Sequence, residues 1–332
     1  MQLPPYGLLS NEYQVALSDK PMLDWQGSSA QYQRFIKEMR RDIATHIWPA
    51  YDYRRGKWKG AASEFAEAAT KAELKICIDR FQRAGILERY PQACDSLPEP
   101  FRRNHLWHFR VEDGQEHQEP FLDALASKTS INNYLYYDPS YDPDVFVSVF
   151  LGQARRKIHG LFDFKPYFAR PRPHQVASIY GLDKFQTRIA EIGRHTGLHP
   201  ALISGHSVQG ILLSSLVLET WLDAGEPSRE STEQLGWYAV DLGDRRVFAG
   251  VHYPTDNIAS WILSLRLIPR AYRHTDKILS FALNAITQKS LVYQVVTETF
   301  SGNKNLRHSL KLLEKQVAES RALLDNGLAA QG

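Results

Sequence analysis

Residues 204–222 read Ser204-Gly205-His206-Ser207-Val208-Gln209-Gly210-Ile211-Leu212-Leu213-Ser214-Ser215-Leu216-Val217-Leu218-Glu219-Thr220-Trp221-Leu222, and this stretch decides the class of fold. Ser204 is a favoured helix N-cap, Pro200 stands in the turn before it, and the segment then runs on without a breaker. Strands span about 3–10 residues, so an apolar stretch this long is a helix. It is also the most apolar part of the chain. Ser214, Ser215, Glu219 and Thr220 interrupt it, and it falls short of the ~18 uninterrupted apolar residues of a membrane span. A buried core helix is the expectation.

The same period spreads outward in both directions. Downstream, helices are expected at Ser231–Val251, at Thr255–Leu267 with Pro269 as the stop, at Asp276–Thr299 and at Lys304–Leu324. The last sets Leu306, Leu310, Leu313, Val317 and Leu324 on one side, as an amphipathic helix does. Upstream, Asp144–Phe162 and Asp183–His195 read as helices. So do Ser29–Ile47, with Tyr32, Phe35, Ile36, Met39 and Ile43 on a stripe, and about Ala61–Leu87. Between them, about Pro91–Pro143 is rich in Pro, His, Asp and aromatics with little periodicity, an extended loop or cap. Alternating strand patterns are nearly absent. The expected fold is all-α: a helical-bundle catalytic unit over 141–332, with an N-terminal helical and loop elaboration over 1–140 packed on it.

Composition bounds the function. The 332 residues hold 40 Lys plus Arg against 37 Asp plus Glu, a formal balance of +3, which does not by itself suggest a nucleic-acid or membrane-surface partner. Arg102 to Arg110 mixes basic and aromatic residues as a single-strand platform does, but a packed loop segment is the expectation. Two cysteines, Cys77 and Cys94, are too few for a disulfide framework. The first residues carry no basic region followed by an apolar core, so no secretory leader is expected, and a cytoplasmic location is.

Three clusters carry chemistry. The first is Lys165-Pro166-Tyr167-Phe168-Ala169-Arg170-Pro171-Arg172-Pro173: an ammonium and guanidinium forks that suit phosphate oxygens, stiffened by prolines. The second is Ser204-Gly205-His206, a helix start whose amides and dipole seat an anion, with His206 in the first turn placed to protonate a leaving oxygen. The third runs from Arg246 to Asp256. His252 and Asp256 are four apart, so on a helical backbone they sit side by side, and the carboxylate fixes the imidazole tautomer. Each cluster alone has a plainer reading: a solvated basic turn, a capped helix with a surface histidine, a structural His–Asp pair.

Together, and in this order, they resemble the signature of the type 2 phosphatidic acid phosphatase superfamily, which includes bacterial acid phosphatases, lipid phosphatases and vanadium haloperoxidases. Lys165 and Arg172-Pro173 match the first block of that signature, Ser204-Gly205-His206 the second, and Arg246, His252 and Asp256 the third. Two positions depart from it: Ile203 stands where Pro is usual, and Arg245 where Ser is usual. Arg245 is expected to add charge at the pocket rim. The resemblance covers about Asp144–Leu267.

The resemblance implies a metal-independent phosphatase. Lys165, Arg172, Ser204, Gly205 and Arg246 would hold the phosphate, His252 would become phosphorylated, Asp256 would orient it, and His206 would serve as acid and then base. No cofactor is implied. The alternative uses the same pocket, with vanadate bound at His252 and a haloperoxidase reaction; His199 is compatible with it. The expected partner is a small phosphate ester or diphosphate, with a homo-oligomer possible through the C-terminal helix. His174 and Tyr253 are expected pocket neighbours without an assigned role.

Overall fold

A computed structural model describes residues 29–86, 164–187 and 200–329. The expected helix Asp144–Phe162, the segment Pro91–Pro143, residues 188–195 of the next expected helix, His199, Cys94 and the division near residue 140 lie outside these.

Amphipathic segments become helices wherever an apolar stripe can be buried. The N-terminal part gives α1 (Ser29–His46), a hairpin of β1 (Ala50–Asp52) and β2 (Lys57–Lys59), a 3₁₀ turn (Ala61–Glu64) and α2 (Ala66–Ile76), whose end widens into a π turn (Cys77–Gln82). Two short helices follow, α3 (Lys165–Phe168) and α4 (Pro173–Val176). Then come α5 (Gly205–Ala224), α6 (Arg229–Phe248), α7 (Pro254–Ala271), α8 (Thr275–Asn284) with a π turn (Ala285–Lys289), α9 (Leu291–Phe300) and α10 (Arg307–Ala329). The fold is all-α. The only sheet among the described residues is the antiparallel hairpin, with Tyr51 opposite Trp58. Its three-residue strands are too short to show alternation in the sequence. Tertiary contacts fix it: the indole N–H groups of Trp48 and Trp58 both donate to the Phe168 carbonyl, at 3.2 and 2.9 Å.

α7 is the axis of the molecule. Every residue from Pro254 to Leu265 is buried, as in a helix surrounded by others. Its serines bond within the core: Ser260 Oγ is 2.9 Å from the Ser204 carbonyl and 2.7 Å from that of Asp256. Arg266 ties the far end of α7 to α1 and α10, donating to Asp42 at 2.8 Å and to Gln316 at 2.6 Å. One continuous core collects Met39 and Ile43 from α1, Leu74 from α2, Trp261 from α7 and Leu313 from α10.

Several boundaries differ from those expected. The helix expected over about Ala61–Leu87 is a 3₁₀ turn, α2 and a π turn in succession. α7 passes through Pro269 and ends at Ala271, because Tyr272 anchors its last turn: the Tyr272 amide donates to Ile268 and its hydroxyl to the Leu212 carbonyl. The single helix expected over Asp276–Thr299 is two. Ser290 turns extended (ψ 121°) and caps α9 by accepting from the Tyr293 amide at 3.0 Å. The buried Asp244 carboxylate of α6 holds that break, accepting from the Ser290 hydroxyl at 2.8 Å and the Val292 amide at 3.2 Å. Residues 183–187, where a helix was expected to begin, are not helical.

Candidate active site

The site forms where the N-termini of α5 and α7 meet the C-terminus of α6. Close approach of α5 and α6 is required for this, and Gly243 permits it: a Cβ there would lie 2.7 Å from the Ser207 Cβ and 2.8 Å from its Cα. Arg246 lies one turn beyond that crossing and is thereby set beside the start of α5. α6 then ends in a turn at Gly250 (φ 75°), where a Cβ would stand 2.4 Å from the Gln186 carbonyl. Left-handed backbone of this kind suits glycine. The turn folds the chain back so that the amides of Val251 and His252 both donate to the Arg246 carbonyl, at 3.0 and 3.1 Å. That is the physical content of the six-residue spacing: one helix end closes on itself and holds His252 against Arg246.

At the next helix start, Pro254 occupies the first turn and Asp256 does two jobs with one oxygen. Its Oδ2 accepts from the Tyr253 amide at 3.0 Å, which caps α7, and lies 2.9 Å from His252 Nδ1. The other ring nitrogen, Nε2, is 2.9 Å from Nη1 of Arg172, which also donates to the Val251 carbonyl at 2.9 Å. A guanidinium only donates, so Nε2 carries the lone pair and Nδ1 the proton.

The first cluster is not the solvated basic turn it resembles in isolation. Lys165, Arg170 and Arg172 are 3%, 1% and 0% exposed. Lys165 Nζ donates to the Pro200 carbonyl at 2.7 Å, and the Ala201 amide donates to the Arg170 carbonyl at 2.9 Å. These two bonds hold the cationic segment against the chain leading into Ser204. Ser204 is buried and caps α5, its Oγ accepting from the Ser207 amide at 3.3 Å. Gly205 and His206 are half-buried in the first turn.

Electrostatics record the convergence. Burial pushes the His252 imidazolium well below its usual range, and the charges of Arg172, Lys165, Arg246 and Arg170 push it further. The ring is therefore neutral near neutral pH, with its lone pair at Nε2. His174, next to Arg172, is lowered to about 4 by burial and then by that guanidinium. Neither of its ring nitrogens has a hydrogen-bond partner among the described residues.

Arg245 departs from expectation. It is fully buried rather than at a rim, and its Nε donates to Asp241 one turn back at 2.5 Å. Its charge is matched inside the core by the Asp241 carboxylate. Tyr253 is also fully buried.

Two residues without an assigned role stand directly behind Asp256. Arg170 donates from Nη1 to Asp256 Oδ1 at 2.7 Å and from Nη2 to Glu73 Oε1 at 2.8 Å. Arg170 belongs to the first cluster, but a signal for Glu73 exists only in register: it falls on the buried stripe of α2 with Ala66, Ala69 and Thr70, an unusual place for a carboxylate.

A buried imidazole, fixed by a carboxylate on one nitrogen and faced by cations on the other, at the head of an all-helical core, defines the class. The family model described as the PAP2 superfamily matches residues 144–279. Over that range the match supports a member of the type 2 phosphatidic acid phosphatase superfamily, and it suggests phosphatase-type activity. No curated protein and no solved structure matches the chain significantly. The matched range contains Lys165, Arg172, Ser204, Gly205, His206, Arg246, His252 and Asp256, and runs past Leu267 into α8; Glu73 is outside it.

Proposed function

We propose that this protein is a metal-independent phosphatase that hydrolyses small phosphate esters or diphosphates through a phosphohistidine at His252. The observation that carries the reading is the two-sided hold on that ring: Asp256 on Nδ1 and Arg172 on Nε2, each at 2.9 Å. In the first step Nε2 forms a bond to phosphorus as the bond from phosphorus to the ester oxygen breaks, and His206 gives that oxygen its proton. In the second, His206 takes a proton from water, the water oxygen bonds to phosphorus, and the electron pair returns to Nε2. Lys165, Arg172 and Arg246 neutralise the transferring group, with Ser204 and the Gly205 amide at the helix start. Three fixed cations and a helix N-terminus supply the charge a metal would otherwise bring. Among the described residues no helix is long and apolar enough to cross a membrane, which suits an ester that reaches the pocket from water.

Hydrolysis of a chromogenic phosphate ester with a chelator present is the test. Wild type is expected to be active, His252→Ala to lose at least about 10³-fold in kcat, and phosphate label to be trapped on the wild-type chain in an acid-labile, alkali-stable form. Equal hydrolysis by both proteins refutes the reading. Bromination with peroxide that depends on added vanadate, without ester hydrolysis, would instead assign the pocket to haloperoxidase chemistry.

A further inference from the structure

The Asp256 carboxylate does not stand alone behind His252. It ends a buried chain of alternating charge: Asp256, Arg170 and Glu73 are 0%, 1% and 1% exposed. Thr255 locks the chain. Its amide donates to Glu73 Oε2 at 2.9 Å, and its Oγ1 lies 2.8 Å from both Glu73 oxygens and 2.7 Å from Arg170 Nη1. The Arg170 guanidinium is clamped between aromatic rings, 3.8 Å from the Tyr253 centroid and 4.8 Å from that of Trp48. Trp48 and Glu73 both come from the N-terminal segment, outside the range matched to the family.

Charge balance gives this chain a consequence. Arg170 on its own would draw Asp256's negative charge away from His252 and add a fourth cation to the three already near the ring. Every such cation opposes the positive charge that the imidazole acquires when Nε2 bonds to phosphorus. With Glu73 present the guanidinium is matched, and the three-residue unit keeps a net charge of −1 directed at Nδ1.

We propose that Glu73 is a positioning residue for phosphoryl transfer: through Arg170 it holds the Asp256 carboxylate in register with His252 and cancels the guanidinium charge that would oppose it. This rests on His252 being the nucleophile, and the experiment separates the two. Wild type and His252→Ala are compared first. If they hydrolyse the ester equally, the nucleophile assignment fails before Glu73 is tested.

Given an active wild type, Glu73→Gln keeps the shape of the side chain and removes its charge. Its fold is checked by thermal unfolding. The expected result is a kcat lower by about tenfold or more, KM within about twofold of wild type, and the acid limb of kcat moved to lower pH, because His252 then takes a proton less readily. In the Asp256→Asn background the same change is expected to cost nothing further, since the relay acts only through Asp256. An unaltered kcat and acid limb, or losses that multiply in the double variant, overturn the proposal. Should Glu73→Gln fail to fold, Glu73→Gln with Arg170→Met removes both charges together. There the acid limb is expected to move to higher pH than wild type with KM retained, and an unmoved limb overturns the proposal equally.

Discussion

Arg172 and Asp256 divide the His252 ring between them, and the division sets how His206 must work. With Nδ1 committed to a carboxylate and the ring neutral, His252 has no proton to lend a leaving group, so the ester oxygen must be protonated by another residue. His206, half-buried at the start of α5, is the residue proposed for it. Its value then depends on the leaving group. An alkyl phosphate leaves as a strongly basic alkoxide and needs the proton; a nitrophenyl phosphate leaves as a stable anion. His206→Ala should therefore lose roughly 10²–10⁴-fold on an alkyl ester and less in the burst phase on the nitrophenyl ester, with phosphorylated His252 accumulating because the water step also lacks its base. Rapid-quench kinetics on both esters measures this. Equal losses with no accumulation would remove His206 from the acid–base role.

At the scale of elements, the site depends on two helix ends and one crossing. Gly243 is a tight point of that crossing, with both the Cβ and the Cα of Ser207 inside 3 Å of where its Cβ would be. Backbone cannot step aside as a flexible side chain can. Gly243→Ala should cost about 1–3 kcal/mol of stability, as overpacking does, and lower kcat/KM, because displacing α6 moves Arg246, and the His252 turn bonded to it, relative to the start of α5. Thermal unfolding and steady-state kinetics on one preparation check both halves. The Arg246–His252–Asp256 spacing was legible because it is the geometry of one helix end and the next helix start, all local. The helix at Ser204–Leu222 was legible from its length and its cap. The break at Ser290 was not: it depends on Asp244, 46 residues away on α6. Glu73 was illegible for the same reason, since its partners Arg170 and Thr255 lie 97 and 182 residues downstream. Buried charge is specified by where distant helices meet, and periodicity within one segment carries no record of that.

For the whole molecule, these buried ionisable groups make stability depend on pH in two opposed ways. His252 and His174 are held below the ordinary imidazole range by burial and neighbouring cations, His174 at about 4. The unfolded chain binds their protons from about pH 6.5 downward while the folded protein does not, so their contribution is present above that pH and is lost as pH falls. Asp244 acts in reverse. Burial lifts its carboxyl from the ordinary 3.8 to about 7, with Asp241 pushing the same way and the Ser290 hydroxyl and Val292 amide pulling it down. Between those two values the folded protein keeps a proton that the unfolded chain has released. Its contribution is whole below the lower value and disappears as pH rises through about 7. Over roughly pH 4–6.5 Asp244 offsets the loss from only one of the two histidines, so the wild-type protein should lose stability on acidification less steeply than the histidines alone would give. Asp244→Asn keeps the hydrogen bonds to Ser290 and Val292 but binds no proton, and it should expose a steeper loss of stability on acidification. The difference between variant and wild type should approach, and not exceed, about 1.4 kcal/mol per pH unit, the slope one proton can give. Urea unfolding at half-unit pH intervals from 4.5 to 8 measures it; parallel curves for the two proteins would mean that Asp244 titrates alike in the folded and unfolded states, and that the joint between α6 and α9 holds a carboxylate like any other.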